Sequence, residues 1–215
     1  MATKDTQAAI LEAALTLFRE RGFDETTMRD IAAKAKVASG LAYYYFDSKD
    51  AIVLAFYQQT KDALPPLMEA AHQETKLAPR LKALIEAKLT YLSPYRKFLG
   101  ALLGHSADPH SPLSPFGEPS RHVREAEFET YERALKETGT SVPKDLAPHM
   151  AKILWFYQMG VILFWMYDRS PQQKRTRALL DVSLQMVVLL IKLSNIPLFK
   201  PARRRVLDVI GIVES

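Results

Sequence analysis

Residues 38 to 46 read ASGLAYYYF, which places three tyrosines beside a serine and a glycine. At helical spacing Ser39, Gly40, Tyr43 and Tyr44 share one face, while Ala38, Ala42, Tyr45 and Phe46 share the other. The second face, small residues around one phenylalanine, suits close packing on neighbouring helices. The first offers a hydroxyl, a missing side chain and two phenols. Gly40 removes the Cβ that would hold a phosphate or a base edge away, and phenolic hydroxyls donate to phosphate oxygens while their rings lie against sugars. Leu41, at the margin of that face, is placed to meet a thymine methyl. Aromatic residues at this spacing suit a buried core equally well, so the surrounding elements have to decide between the two.

Those elements read as helical almost throughout, with no convincing strand. Ile10, Leu11, Ala14, Leu15 and Phe18 repeat at three and four, and Gly22 behind Arg19, Glu20 and Arg21 is a C-terminal stop, giving a helix over about 5–21. Thr27 precedes Asp30 at capping-box spacing, and Met28, Ile31, Ala32 and Ala35 form the next, two-turn helix. Ser48 then suits the N-cap of a longer helix through Ala51, Ile52, Ala55 and Phe56. Two short helices joined by a few residues, the second exposed, make a helix-turn-helix whose second helix lies in a major groove.

Thr27, Arg29-Asp30-Ile31-Ala32, Val37, Ser39-Gly40, Tyr43, Phe46 and Ser48-Lys49, behind Leu17-Phe18 and Gly22-Phe23, together resemble the DNA-binding domain of TetR/AcrR-type bacterial transcriptional regulators. The resemblance covers about the first sixty residues. It implies that Thr27 and Lys49 hold phosphates, that Arg29 reaches a base or the backbone, and that Ser39, Gly40, Tyr43 and Tyr44 form the recognition surface. It further implies an all-α fold of about nine or ten helices, with a three-helix DNA-binding domain over 1–49 and an effector-binding and dimerisation domain over 50–215. Two positions depart from the family pattern. Lys36 stands where glycine is usual, so the turn must either force a lysine into a glycine conformation or change shape. Ala38 stands where Ser or Thr is common, so the recognition helix lacks its usual cap.

Beyond residue 62, Pro65-Pro66 is expected to interrupt or kink the fourth helix. Helices are expected over about 79–92, 95–103, 121–138, 144–167 and 171–194, with a proline-rich loop at 105–120. The last two helices carry more apolar residues than one face needs. Gly160, Phe164, Leu184, Val187, Val188 and Ile191 are the expected surface of a two-fold dimer, which would set two recognition helices on a palindromic double-stranded operator. For a small lipophilic or aromatic effector the candidates are Tyr91, Tyr95, Phe98, Leu102, His105, Trp155, Met159 and Trp165, each of which also suits a core.

Other chemistry finds little support. His105, Asp108 and His110 form H-x-x-D-x-H, but in a proline-rich loop without further ligands no metal or cofactor is expected. G-x-S-x-G, H-E-x-x-H, G-x-x-x-x-G-K-[ST] and G-x-G-x-x-G are all missing, so no enzyme is expected. The apolar run 153–167 falls short of the roughly 20 residues a bilayer needs, and no membrane partner is expected. An N-terminus without a long apolar run and the lack of cysteine point to the cytoplasm. Net charge is +5, yet residues 1–62 carry eight Lys or Arg against nine Asp or Glu, and the excess lies at 169–205, where nine cations face only Asp181. Bulk charge therefore does not mark the DNA-binding end. That low N-terminal charge keeps a second class open, a helical small-molecule-binding protein without DNA-binding activity.

Overall fold

The computed structural model describes residues 3–106, 108 and 110–214, with ten α-helices and no strand among them. They are α1 (Thr3–Glu20), α2 (Met28–Lys34), α3 (Ser39–Tyr45), α4 (Lys49–Met68), α5 (Leu77–Leu92), α6 (Arg96–Ser106), α7 (Arg121–Glu137), α8 (Ala147–Tyr167), α9 (Lys174–Ser194) and α10 (Lys200–Glu214). Backbone packing separates two compact units, residues 1–66 with 89–126 and residues 67–88 with 127–215. This division follows packing and is a different partition from the functional one expected after residue 49.

In the first unit, the three-and-four stripe of α1 buries Ile10, Ala14, Leu15 and Phe18, and Ile31 of α2, Ala42 of α3 and Ile52 and Phe56 of α4 are buried with them. Phe18 stacks on Phe98 of α6 with centroids 5.1 Å apart, and Phe56 meets Phe98 edge-on at 5.8 Å, so α6 is part of the scaffold that holds the short helices. Pro65 and Pro66 do not stop α4. It runs on to Met68 and then tightens into a 3₁₀ turn, Glu69–Gln73.

The second unit is organised on α8. The length argument against a membrane span is corrected here, because the helix has 21 residues, not 15, and is long and apolar enough to cross a bilayer. Its inner side is nevertheless committed to a protein core that includes Met150, Leu154, Trp155, Val161 and Trp165. It also carries Gln158, whose carbonyl accepts from Tyr131 at 2.6 Å and whose amide donates to Glu127 at 3.0 Å, with Lys88 paired to the same carboxylate. This buried polar chain has every member partnered, which a core requires. Burial, reinforced by the charge of Glu127, pushes the Tyr131 phenol well above its ordinary pKa and keeps it a donor.

The turn into α9 is held by Asp168. Its Oδ1 accepts from Ser170 N at 2.8 Å, and its Oδ2 accepts from Thr176 N at 2.9 Å and Thr176 Oγ1 at 2.8 Å, while Gln172 and Gln173 both take left-handed conformations.

Candidate nucleic-acid interface

Helix α2 begins with a complete capping box. Thr27 Oγ1 accepts from Asp30 N at 3.2 Å, and Asp30 Oδ2 accepts from Thr27 N at 2.9 Å and from the Thr27 hydroxyl at 2.6 Å. These bonds from Thr27, together with the charge of Arg21, hold the Asp30 carboxyl below its ordinary pKa. The C-terminus of α2 closes as a Schellman turn: Lys36 N donates to Ala33 O at 3.1 Å and Val37 N donates to Ala32 O at 3.0 Å. Lys36 occupies the left-handed position at φ +58°, so the chain keeps the turn shape that glycine usually supplies and forces a lysine into it.

Helix α3 follows immediately. Its N-cap, Ala38, makes no side-chain bond, as its residue type requires. Ala42 and Phe46 are buried and anchor the helix, Tyr45 is half-buried, and Ala38, expected on the inner face, is exposed. Ser39, Gly40, Leu41, Tyr43 and Tyr44 all point to solvent, with Tyr43 51 % and Tyr44 78 % exposed. A Cβ at Gly40 would meet nothing within 4 Å, so nothing inside the protein demands a glycine there. Tyr44 is braced edge-on against Tyr45 at 5.3 Å.

The flanking cations differ in how free they are. Arg29 is exposed and makes no ion pair among the described residues, whereas Asp24 and Asp30, two acidic residues near it in sequence, pair with His105 and Arg21. Lys49 is more tied than expected. Its Nζ donates to Phe23 O at 2.6 Å and Asp24 O at 3.4 Å and lies 4.4 Å from the Phe23 ring centroid, stitching the α1–α2 turn to the start of α4. A free phosphate grip and this stitch compete for the same three N–H groups. Ser48 Oγ accepts from Ala51 N at 3.1 Å, capping α4 as the sequence suggests. Lys36 is exposed in the turn before α3.

The effector candidates divide between the two units. Tyr91, Tyr95, Phe98, Leu102 and His105 lie in the first, where Phe98 and Leu102 are core residues and Tyr95 packs under Phe56 at 4.8 Å. His105 Nε2 lies 3.0 Å from Asp24 Oδ1, a partner outside the H-x-x-D-x-H motif. In the second unit Trp155 and Trp165 are buried and Met159 is half-buried, with Phe128 edge-on to Trp155 at 5.7 Å. None of the eight lines either of the grooves found in the second unit.

The dimer expectation needs correction by residue. Leu184 and Ile191 are only 2 % and 4 % exposed and belong to the protomer core, and Val187 and Val188 are half-buried. Gly160 and Phe164 are exposed, and they continue into an apolar stripe of Phe156, Leu163 and Tyr167 on α8 and of Val182, Met186 and Leu189 on α9. On α9 the exposed apolar face is rotated from the expected one, because an apolar run with few polar breaks does not reveal which side meets its own core.

Residues 10–56 match the family model described as bacterial regulatory proteins, tetR family, and residues 80–209 match that of the tetracyclin repressor-like C-terminal domain. The chain is 28 % identical over 168 residues to the uncharacterized HTH-type transcriptional regulator YxbF of Bacillus subtilis, covering 77 % of this chain and 40 % of the relative. It is 24 % identical to AcrR of Shigella flexneri over 89 % of this chain and 94 % of the relative. The first curated relatives it matches are spanned over 40 % or less of their own length. Among solved structures, the fold resembles Thermus thermophilus FadR, a TetR-family repressor in complex with lauroyl-CoA, with TM-score 0.61, 23 % identity and coverage of 85 % of this chain and 93 % of that one. With both ends of the chain matched by family models and the helix-turn-helix in place, the chain belongs to the TetR family of bacterial transcriptional regulators.

Proposed function

We propose that this chain is a cytoplasmic, ligand-responsive repressor that binds a palindromic double-stranded operator as a homodimer. The observation that carries the reading is the solvent-facing ridge of α3. Ser39, Gly40, Leu41, Tyr43 and Tyr44 project outward from a helix anchored by Ala42 and Phe46, with open space above Gly40. Such a ridge presents hydroxyls and apolar edges to a groove, while Thr27 and Arg29 flank it towards the backbone. The exposed apolar stripe on α8 and α9 supplies a self-complementary surface for the dimer.

A small lipophilic or aromatic effector is proposed to bind in the C-terminal domain and favour a state whose two recognition helices no longer match the operator. The lauroyl-CoA complex of the Thermus relative supports the lipophilic class, and the aromatic content around Trp155 and Tyr95 supports it independently.

Selection of bound duplexes from a random pool tests the reading. An inverted repeat is expected, with salt-sensitive binding, and Tyr43→Phe combined with Tyr44→Ala should weaken it by more than about tenfold. Absence of any sequence-preferring complex would favour a small-molecule-binding protein without DNA-binding activity.

A further inference from the structure

The C-terminal helix and its basic run have no part in the function proposed above. Helix α10 closes a groove of about 310 Å³ within the second unit, walled by Met150 and Ile153 of α8, Leu190 of α9, Phe199 just before α10, and Ala202 and Val206 in its first turns. The lining is apolar except for Ser194 and Arg203. The Arg203 guanidinium is fixed in the wall, with Nε donating to Asp145 Oδ2 at 2.9 Å and Nη1 to Ser194 O at 2.6 Å, and its Nη2 has no partner among the described residues.

The volume is that of a small-ligand site, and the lining has the usual pattern of apolar walls with one or two polar groups. The charge around it selects the occupant. Residues 192–205 carry Lys192, Lys200, Arg203, Arg204 and Arg205 and no acidic residue. Lys200 and Arg204 are exposed and flank Arg203 on the same helix, and neither has an ion-pair partner among the described residues. An uncharged hydrocarbon would leave these cations unused, and a cationic amphiphile would be repelled. We infer that the α8–α9–α10 groove is a second ligand site, which takes a small amphiphilic anion with its chain against Met150, Ile153, Leu190 and Phe199 and its head group at the Arg203, Lys200 and Arg204 end. None of the residues proposed for the effector lines this groove, so the inference stands apart from that reading.

Calorimetric titration of the full chain with decanoate below its micelle concentration tests it, with decyltrimethylammonium as the cationic control. Decanoate should saturate one site per chain, and decyltrimethylammonium should bind at least about tenfold more weakly. Ala202→Phe, a change at an exposed position that fills the groove, should weaken decanoate by at least about tenfold. Lys200→Gln with Arg204→Gln should weaken it by about threefold and flatten its salt dependence. Equal binding of the two amphiphiles would overturn the inference, as would a decanoate affinity unchanged by Ala202→Phe, which would place the probe elsewhere. Co-sedimentation with anionic vesicles without one-to-one decanoate binding would make the surface a membrane contact and overturn it too.

Discussion

Gly40 is the second residue of the seven-residue helix α3, where glycine is less favourable than alanine, and no neighbouring atom requires it. Gly40→Ala is therefore expected to stabilise the free protein by about 0.5–1 kcal/mol in thermal melts while lowering operator affinity in gel shifts, since the methyl enters the space reserved for the duplex. A rise in both stability and affinity would remove the close-approach role. Lys36 is the opposite case, a side chain held in a backbone region it disfavours by about 1–2 kcal/mol. Lys36→Gly relieves that strain and adds about 0.4–1 kcal/mol of unfolded-state entropy loss, so urea unfolding should show a net change between about zero and 1.6 kcal/mol in favour of the variant. The departure was visible in the sequence. Its outcome was not, because whether a turn yields or the residue yields depends on how firmly Val37 and Ala32 fix the two ends.

At the scale of elements, the capping rules made α1, α2 and the start of α4 legible, and Thr27, Gly22 and Ser48 perform as their residue types suggest. Helix α3 is the weak member, since Ala38 supplies no side-chain cap. Ala38→Ser should add about 1 kcal/mol to stability, measured by chemical unfolding, with little effect on the exposed ridge.

The turn between α8 and α9 depends on one carboxylate. Burial alone would raise the Asp168 pKa, but hydrogen bonds from Ser170 and Thr176 outweigh it and hold the group below its ordinary value. A depressed folded-state pKa stabilises above the unfolded value of about 4, and that contribution is lost as pH falls through the folded value. Asp168→Asn should accordingly lower the melting temperature at neutral pH and flatten its decline in acid, as followed by calorimetry across pH. An unchanged acid limb would show that the carboxylate is not what titrates. Nothing in the sequence announced this role, since an Asp after an apolar run reads as an ordinary helix exit.

For the whole molecule, the sequence identified which helices would be left with surplus apolar surface, and the structure redistributes that surplus to Phe156, Leu163, Phe164, Val182, Met186 and Leu189. Met186→Glu is expected to turn the proposed dimer into monomers by sedimentation and to abolish binding to a full inverted repeat, whereas Leu184→Ala should reduce protomer stability by about 2–5 kcal/mol, as the loss of a core leucine does. Equal effects on assembly from both changes would refute the assigned face. The effector candidates were the least legible part of the chain, because tryptophans and tyrosines at helical spacing serve a core and a cavity alike, and only three-dimensional packing separates Phe98 from Tyr95.

Helix α8 has a consequence for how the protein is made. Ala147–Tyr167 has the length and apolar character that either a protein interior or a lipid bilayer demands, and in the finished fold less than half of its most apolar window is buried. Its inner side is covered by α7, whose Tyr131 and Glu127 hold Gln158 and are synthesised before it, and by α9, which is synthesised only after it. A copy still in synthesis therefore carries α8 with one flank covered by α7 and the other bare until α9 has followed.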